Sequence, residues 1–265
     1  MNILVCVKQT PDPEEMPVTE NASGLVSMDE GAGYRMNRFD EFAVEAAVLL
    51  KEKGDGVVVD AITVGPERSR DVIKRAVGMG ADKGIHLITG ETDLRIMKPF
   101  PDPASVAAWI YGYAKNRSYA LILTGAMSED GMNGMVGPMM AAMLGIPAAT
   151  QVISLELSKN GGGVSIEREV EGGNREILEI KLPAVLALQP GINRPRYPSL
   201  SNLLRANKQA MEIIDAESFD TRKSGMNFKG AMFPPRTRAG RLLEGATREK
   251  AEAFLNIMKN KGWVR

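Results

Sequence analysis

Along the first half of the chain, short apolar runs alternate with segments of helical spacing. Ile3 to Val7 is an apolar run that ends in polar residues, the pattern of a strand buried in a parallel sheet. Helical spacing follows in Phe39, Phe42, Ala43, Ala46, Ala47 and Leu50, with Asn37 placed to cap the helix and Gly54 to end it. Val57 to Val64 is β-branched and predicts a second strand, Pro66 opens a helix reaching about Gly78, and Lys83 to Ile88 predicts a third strand. Asp102 and Pro103 form a cap and a first-turn proline that open a helix through Lys115, and Tyr119 to Thr124 is a fourth strand. This rhythm predicts an α/β fold: a Rossmann-like, doubly wound, mostly parallel sheet.

Two stretches depart from the rhythm. Gln9 to Met36 has little periodicity and is far longer than an ordinary first βα connection, so it is expected to cover a site or pair with another chain. After Pro147 the period changes to two. Val152 to Leu157, Val164 to Val170 and Ile177 to Leu182 alternate apolar and polar residues, separated by the turn sequences Asn160-Gly161-Gly162-Gly163 and Gly172-Gly173-Asn174. They predict an antiparallel meander added to the sheet, with Ala184 to Leu188 as another buried strand. Beyond Gln189 a short helix is expected at Ser199 to Asn207, residues 215–246 show no period and read as a C-terminal arm, and Thr247 to Asn260 is an amphipathic helix capped by Thr247 and closed by Gly262.

Charge divides the chain near the same place. The 33 basic and 33 acidic residues cancel, yet residues 1–191 carry a net charge of −8 and residues 192–265 a net charge of +8. Either the basic tail folds back on the acidic body or it embraces another protein. The expected organisation is an α/β domain over 1–190 and an arm over 191–265. With 44% apolar and 25% charged residues the composition is that of a globular protein with a real core, and it excludes a uniformly basic nucleic-acid binder. One cysteine, Cys6, excludes an internal disulfide, and the densest apolar stretch, Met139 to Ala149, is broken by Gly145 and Pro147 before it could span a membrane. The expected address is the cytoplasm or a matrix-like compartment.

In a doubly wound sheet the ligand site lies beyond the carboxyl ends of the strands, at the switch point. The fourth strand runs into Gly125-Ala126-Met127-Ser128-Glu129-Asp130-Gly131-Met132-Asn133-Gly134-Met135-Val136-Gly137-Pro138 and then a helix, whose free N–H groups suit a phosphate. This is neither a Walker A loop nor G-x-G-x-x-G. The single histidine, His86, falls inside a strand and reads as structural; Cys6 reads as a small buried residue; one Cys and one His cannot build a zinc cluster. Met127, Met132, Met135, Met139, Met140 and Met143 read as helix and pocket packing. No catalytic set and no metal site are assigned, so chemistry would belong to a cofactor.

The sequence resembles the beta subunit of electron transfer flavoprotein. The matching pieces are Cys6-Val7-Lys8-Gln9-Thr10-Pro11-Asp12, Met36 to Glu45, Gly78 to His86, the Asp130 to Pro138 loop, Glu167 to Gly173, and Gly191-Ile192-Asn193-Arg194-Pro195-Arg196-Tyr197-Pro198-Ser199-Leu200, in order across about residues 1–214. The resemblance implies a non-catalytic electron carrier working as an alpha–beta heterodimer. Its alpha subunit would hold most of an FAD, and its beta subunit would bind AMP or, in the electron-bifurcating branch that oxidises NADH, a second FAD. Carried over by position, the nucleotide pocket comprises Cys6, Asn37, Arg38, Phe39, Asp40, Val64, Asp130, Gly131, Met132, Asn133, Gly134, Met135, Val136, Gly137, Pro138, Met139, Met140 and Ala141. Partner docking falls to Pro195, Arg196, Tyr197, Pro198, Ser199 and Leu200, with Leu200 the residue inserted into a donor dehydrogenase of the acyl-CoA type; a quinone reductase or similar acceptor takes the electrons. The family's usual Asn-Pro-Phe is Asn37-Arg38-Phe39 here, and Met132 and Met135 replace an acid and a glutamine. AMP and FAD both remain open for the beta pocket. Two rivals stand beside this reading: a nucleotide-hydrolysing or adenylating enzyme on the same fold, for which Lys8-Gln9-Thr10-Pro11 lacks the phosphate-activating loop, and a scaffold subunit.

Overall fold

The computed structural model describes residues 1–15, 18–20, 22–23, 25–28, 33–90, 102–158, 162–219, 226, 231–234, 240, 242–264. They fall into two compact units, Met1–Ala231 and Met232–Arg265. The strands are β1 (Asn2–Cys6), β2 (Gln9–Pro11), β3 (Val18–Glu20), β4 (Val26–Met28), β5 (Tyr34–Met36), β6 (Val58–Gly65), β7 (Lys83–Ile88), β8 (Tyr119–Gly125), β9 (Ala148–Leu157), β10 (Gly163–Val170), β11 (Asn174–Lys181), β12 (Ala184–Leu188) and β13 (Glu212–Asp215). The helices are α1 (Arg38–Lys53), α2 (Arg70–Met79), α3 (Pro103–Ala114), α4 (Val136–Leu144), α5 (Leu200–Lys208) and α6 (Thr247–Asn260). None of the described helices is long and apolar enough to cross a membrane.

Nine strands form one sheet in the order β11-β10-β9-β12-β8-β1-β6-β7-β13. From β9 to β13 every neighbouring pair is parallel, and β9, β10 and β11 add the antiparallel meander. Each face buries its own apolar set, as a parallel sheet covered on both sides must. On one face Ile3, Val5, Val59, Ala61, Leu121 and Leu123 meet the inner sides of α1 and α2. On the other, Leu4, Cys6, Ile62, Ile85, Ile122 and Val185 meet α3 and α4. The chain runs outward from β1 through β6 to β7 and then returns to the opposite side of β1 as β8, so the switch point lies between the carboxyl ends of β1 and β8.

Several local expectations are corrected. Gln9 to Met36 is not featureless: β2 pairs with β5 and β3 with β4, giving two short ribbons. Pro66 leads into a 3-10 turn at Glu67–Ser69, and the helix proper begins at Arg70, ends at Met79 and is closed by Gly80, whose φ of 135° favours glycine; Gly78 lies inside the helix. Thr247 is the first helical residue of α6, not its cap; Ala246 holds that position and its N–H donates to Glu249 Oε2 at 2.8 Å. β13 has no signal in the sequence, being four residues long with alternate positions exposed. It nevertheless completes the sheet edge, where Glu212 pairs with Lys83 and accepts from Tyr113 Oη at 3.3 Å. Asp102 does cap α3, accepting from Ala104 N and Ser105 N at 2.9 and 3.2 Å. The Asn160-Gly161 part of the predicted turn and half of 215–246 lie outside the described residues.

In the second unit α6 has no buried residue, and Phe254, Leu255 and Trp263 are exposed.

His86 is fully buried in β7, with Nε2 2.9 Å from the carbonyl oxygen of Gly65. Burial lowers its pKa below the ordinary 6.5, so the folded state holds a neutral ring that donates to that carbonyl. The stability this contributes is complete above pH 6.5 and is lost as pH falls through the depressed folded value. In an NMR titration the one imidazole is expected to show no protonation step at or above pH 6.5, and a step there would refute the assignment.

Candidate functional site

The switch point is closed on the α1 side by side chains of the first turn of α1. Asp40 is buried and its carboxylate bridges the two strand ends, Oδ2 accepting from Lys8 N at 2.7 Å and Oδ1 from Gly125 N at 3.0 Å. Burial raises its pKa to about 7, opposed by these backbone hydrogen bonds and the nearby Lys8 charge. Gly125 must be glycine, because a Cβ there would run into Phe39 and Asp40. Asn37 occupies the N-cap position of α1 without capping it. Its amide instead clamps the connection after β8, donating to Met127 O at 2.9 Å and accepting from Glu129 N at 3.1 Å. Glu129 in turn accepts from Arg38 N at 3.3 Å and from Arg35 Nη2 at 3.3 Å. Lys8 Nζ reaches across to both Asp130 oxygens at 2.6 and 2.7 Å, and Asp130 Oδ1 accepts from Gly131 N.

This web braces the irregular connection of ten residues, Ala126 to Met135, between β8 and α4. Met132 sits at φ 52°, in the left-handed region where a side chain is tolerated at some cost, and its N–H bonds Ser128 O at 2.8 Å. Gly134 approaches the Ala126 carbonyl so closely that a Cβ would lie 2.8 Å from its oxygen. The segment delivers the chain to α4, which opens without a side-chain cap and with no acidic residue in its first turn. Its amino end therefore keeps the partial positive charge that suits an anion.

Opposite this helix start, on the α3–α4 face, lie the strand-end residues Cys6 and Val64, both part of the same apolar cluster as Val136 and Met139. Burial pushes the Cys6 thiol well up, with the Asp40 charge adding to it, so it serves as packing and not as a nucleophile. Thr124 was not singled out by sequence. Its Oγ1 is buried with no hydrogen-bond partner among the described residues, 2.9 Å from where a Cβ on Gly137 would fall. The signal for it was available, a hydroxyl residue ending a buried strand just before a glycine-rich turn.

Of the nucleotide-pocket residues expected from sequence, the structure brings Cys6, Val64, Val136, Gly137 and Met139 together on the α3–α4 side of the strand ends. Asn37, Arg38, Phe39 and Asp40 lie on the α1 side and reach the others through the loop. Met140 and Ala141 are buried core of α4, while Met132, Gly134 and Met135 face solvent. Asp130, Gly131, Asn133 and Pro138 complete the loop and the first turn. Gly137 packs against Thr124, so enlarging it disturbs the seat of α4 as well as any ligand.

The expected docking segment lies along α1 and α2. Asn193 Nδ2 donates to Phe42 O at 2.9 Å, and Pro198 packs with Leu203 over Gly78, where a Cβ would meet them at 3.2 and 3.0 Å. Arg196 faces inward: its guanidinium pairs with the nearly buried Glu45 at 2.9 Å and with Glu52 at 2.6 Å. Ser199 caps α5 by accepting from Asn202 N at 3.2 Å. Leu200 is thus the first helical residue and is 74% exposed, flanked by Tyr197 at 87% and Leu204 at 56%.

A family model for the electron transfer flavoprotein domain matches residues 24–218. The chain is 35% identical to electron transfer flavoprotein subunit beta of Bacillus subtilis, with 100% of both chains covered. It is 31% identical to the protein of the same name from Syntrophomonas wolfei, over 98% of this chain and 96% of that one. To the human subunit beta it is 34% identical over 81% of each.

Proposed function

This chain belongs to the electron transfer flavoprotein family, as a beta subunit, and from that premise we propose that it works as one half of a heterodimer with a larger alpha subunit. The alpha subunit holds most of an FAD; the beta subunit shields it and binds an adenine nucleotide at the β1–β8 switch point. FAD, when bound, supplies the capacity to accept electrons and pass them on. Donors are dehydrogenases, of the acyl-CoA type, and the acceptor is a quinone reductase or an equivalent. The beta subunit contributes binding and positioning, with no acid–base step of its own.

One observation carries the pocket assignment: the uncapped start of α4 stands against the buried, unpartnered hydroxyl of Thr124. A phosphate there would satisfy helix N–H groups that nothing else in the described chain caps. Cys6, Val64 and Met139 supply the apolar wall, while Asn37 and Asp40 hold the loop in place from the far side. Residues 191–200 dock the donor through Leu200, and the basic C-terminal arm contacts the alpha subunit.

The test is co-expression with the alpha subunit, followed by nucleotide extraction and a visible spectrum. Heterodimer with wild-type sequence is expected to release one adenine nucleotide besides the FAD of the alpha subunit. AMP identifies a simple carrier, and a second FAD identifies the bifurcating branch. Thr124→Val keeps the shape of the strand end and removes the hydroxyl, so thermal stability is expected to hold or rise slightly while nucleotide retention falls about tenfold. Extraction yielding no adenine compound beyond that FAD, or undiminished retention in the variant, defeats the pocket assignment.

A further inference from the structure

A cleft of about 330 Å3 opens on the other face of the molecule, between the β2–β5 ribbon, the first turns of α1 and α2, and Tyr197. Arg35, Arg38 and Arg75 line it together with Tyr34, Met36 and Tyr197. Met36 and its neighbour Val72 belong to the α1–α2 core, whereas Cys6 and Met140 belong to the α3–α4 core, so this cleft and the switch-point pocket lie on opposite faces of the sheet.

Among the described residues, the cleft has more donors than its own acceptors use. The two acids among its described lining residues are engaged: Glu41 Oε1 accepts from Arg75 Nε and Nη2 at 3.0 and 2.7 Å, and Asp71 pairs with Lys74 at 2.8 Å. Arg75 Nη1 makes no hydrogen bond with the described residues. Arg35 gives Nη2 to Glu129, but its Nε is buried with no hydrogen-bond partner among the described residues, the Asp12 carboxylate standing 3.9 Å away. The side chain of Arg38, which stands where the resembling family has proline, makes no hydrogen bond or ion pair with the described residues. A buried guanidinium N–H without an acceptor is costly, and three guanidinium groups on one concave wall suit a group with several oxygens. Tyr34 already carries a cation on one side, with the Arg68 guanidinium 4.6 Å from its ring centroid, and the exposed Tyr197 has Arg75 at 5.7 Å. Flat rings next to an oxyanion site offer a stacking surface.

We propose that this cleft binds a phosphate monoester carried on a flat ring, a mononucleotide-sized ligand held by Arg35, Arg38 and Arg75 through its phosphate and by Tyr34 and Tyr197 through its ring. The volume sets the size, since pockets for small molecules begin at about 300 Å3 and a dinucleotide needs more. The site is separate from the nucleotide of the switch point and does not depend on which nucleotide sits there.

The experiment is calorimetric titration of AMP into purified heterodimer with its resident nucleotide retained, with inorganic phosphate and adenosine as parallel arms. AMP is expected to give a further, weaker binding event, with inorganic phosphate and adenosine each binding about tenfold less tightly than AMP. Arg75→Gln should weaken the AMP event about tenfold, and Arg75→Lys, which keeps the charge opposite Glu41, should weaken it less but measurably. Tyr34→Leu should weaken AMP about fivefold and leave phosphate unchanged. Absence of the further event overturns the proposal, as does an event unmoved by both Arg75 variants. Phosphate binding as tightly as AMP overturns the role given to the tyrosines.

Discussion

Replacing Arg196 with methionine is expected to destabilise the Met1–Ala231 unit by about 3 kcal/mol, the lower end of what losing one partner of a buried ion pair costs. Glu45, on the inner side of α1, is 4% exposed, and Arg196 supplies its counter-charge through Nε and Nη2 at 2.9–3.1 Å while its own N–H donates to the same carboxylate. Without the guanidinium, a carboxylate stays buried with one backbone donor. Arg196 is itself one-third exposed, which lets solvent screen part of the loss and keeps the figure at the low end. The double variant Glu45→Met with Arg196→Met leaves no buried charge and should recover most of the loss. Urea denaturation of the four members of the cycle measures this. A single-variant loss below about 0.5 kcal/mol, within the range of an ordinary surface change, would mean that the pair does not hold residues 191–198 to α1.

The opposite outcome is expected at Leu200, four residues along the same segment. Leu200→Ala should leave unfolding within about 0.5 kcal/mol of wild type, because the side chain is 74% exposed. Its effect belongs to docking: truncating one buried anchor costs about 2 kcal/mol, roughly thirtyfold in affinity for the donor dehydrogenase. Reduction of the heterodimer by the dehydrogenase, at subsaturating partner, is compared with reduction by dithionite. The dithionite rate and the flavin spectrum should be unchanged. If the dehydrogenase reduces the variant at the parental rate, Leu200 is an ordinary surface residue. Arg196 and Leu200 thus divide the segment into an inward-facing and an outward-facing side chain, a division that the string Pro195-Arg196-Tyr197-Pro198-Ser199-Leu200 does not display.

Elements whose signal is local were legible. The apolar run Ile3 to Val7, the Asp102-Pro103 start of α3 and the period-two strands after Pro147 each carry their pattern within a few residues. β13 was not, since four half-exposed residues are held as a strand by β7 and by Glu212 meeting Lys83, a partner 129 positions away. Asn37 shows the same limit at the site. Its position before α1 marks a cap, but the Met127 carbonyl and Glu129 N–H, about ninety residues on, compete for the same amide and take it.

The order of apolar periods along this chain by itself determined a doubly wound α/β sheet with a meander, because burial on two faces or one leaves a period that short segments must obey. The glycine-rich run after β8 likewise placed the candidate site at the strand ends. What tertiary structure alone decided is which side chains face each other there: Asp40 across β1 and β8, Lys8 across to Asp130, Thr124 against Gly137, and Arg35, Arg38 and Arg75 around one cleft. Hydrogen bonds and ion pairs depend on distances of a few ångströms between residues far apart in the chain, and periodicity carries no record of those distances.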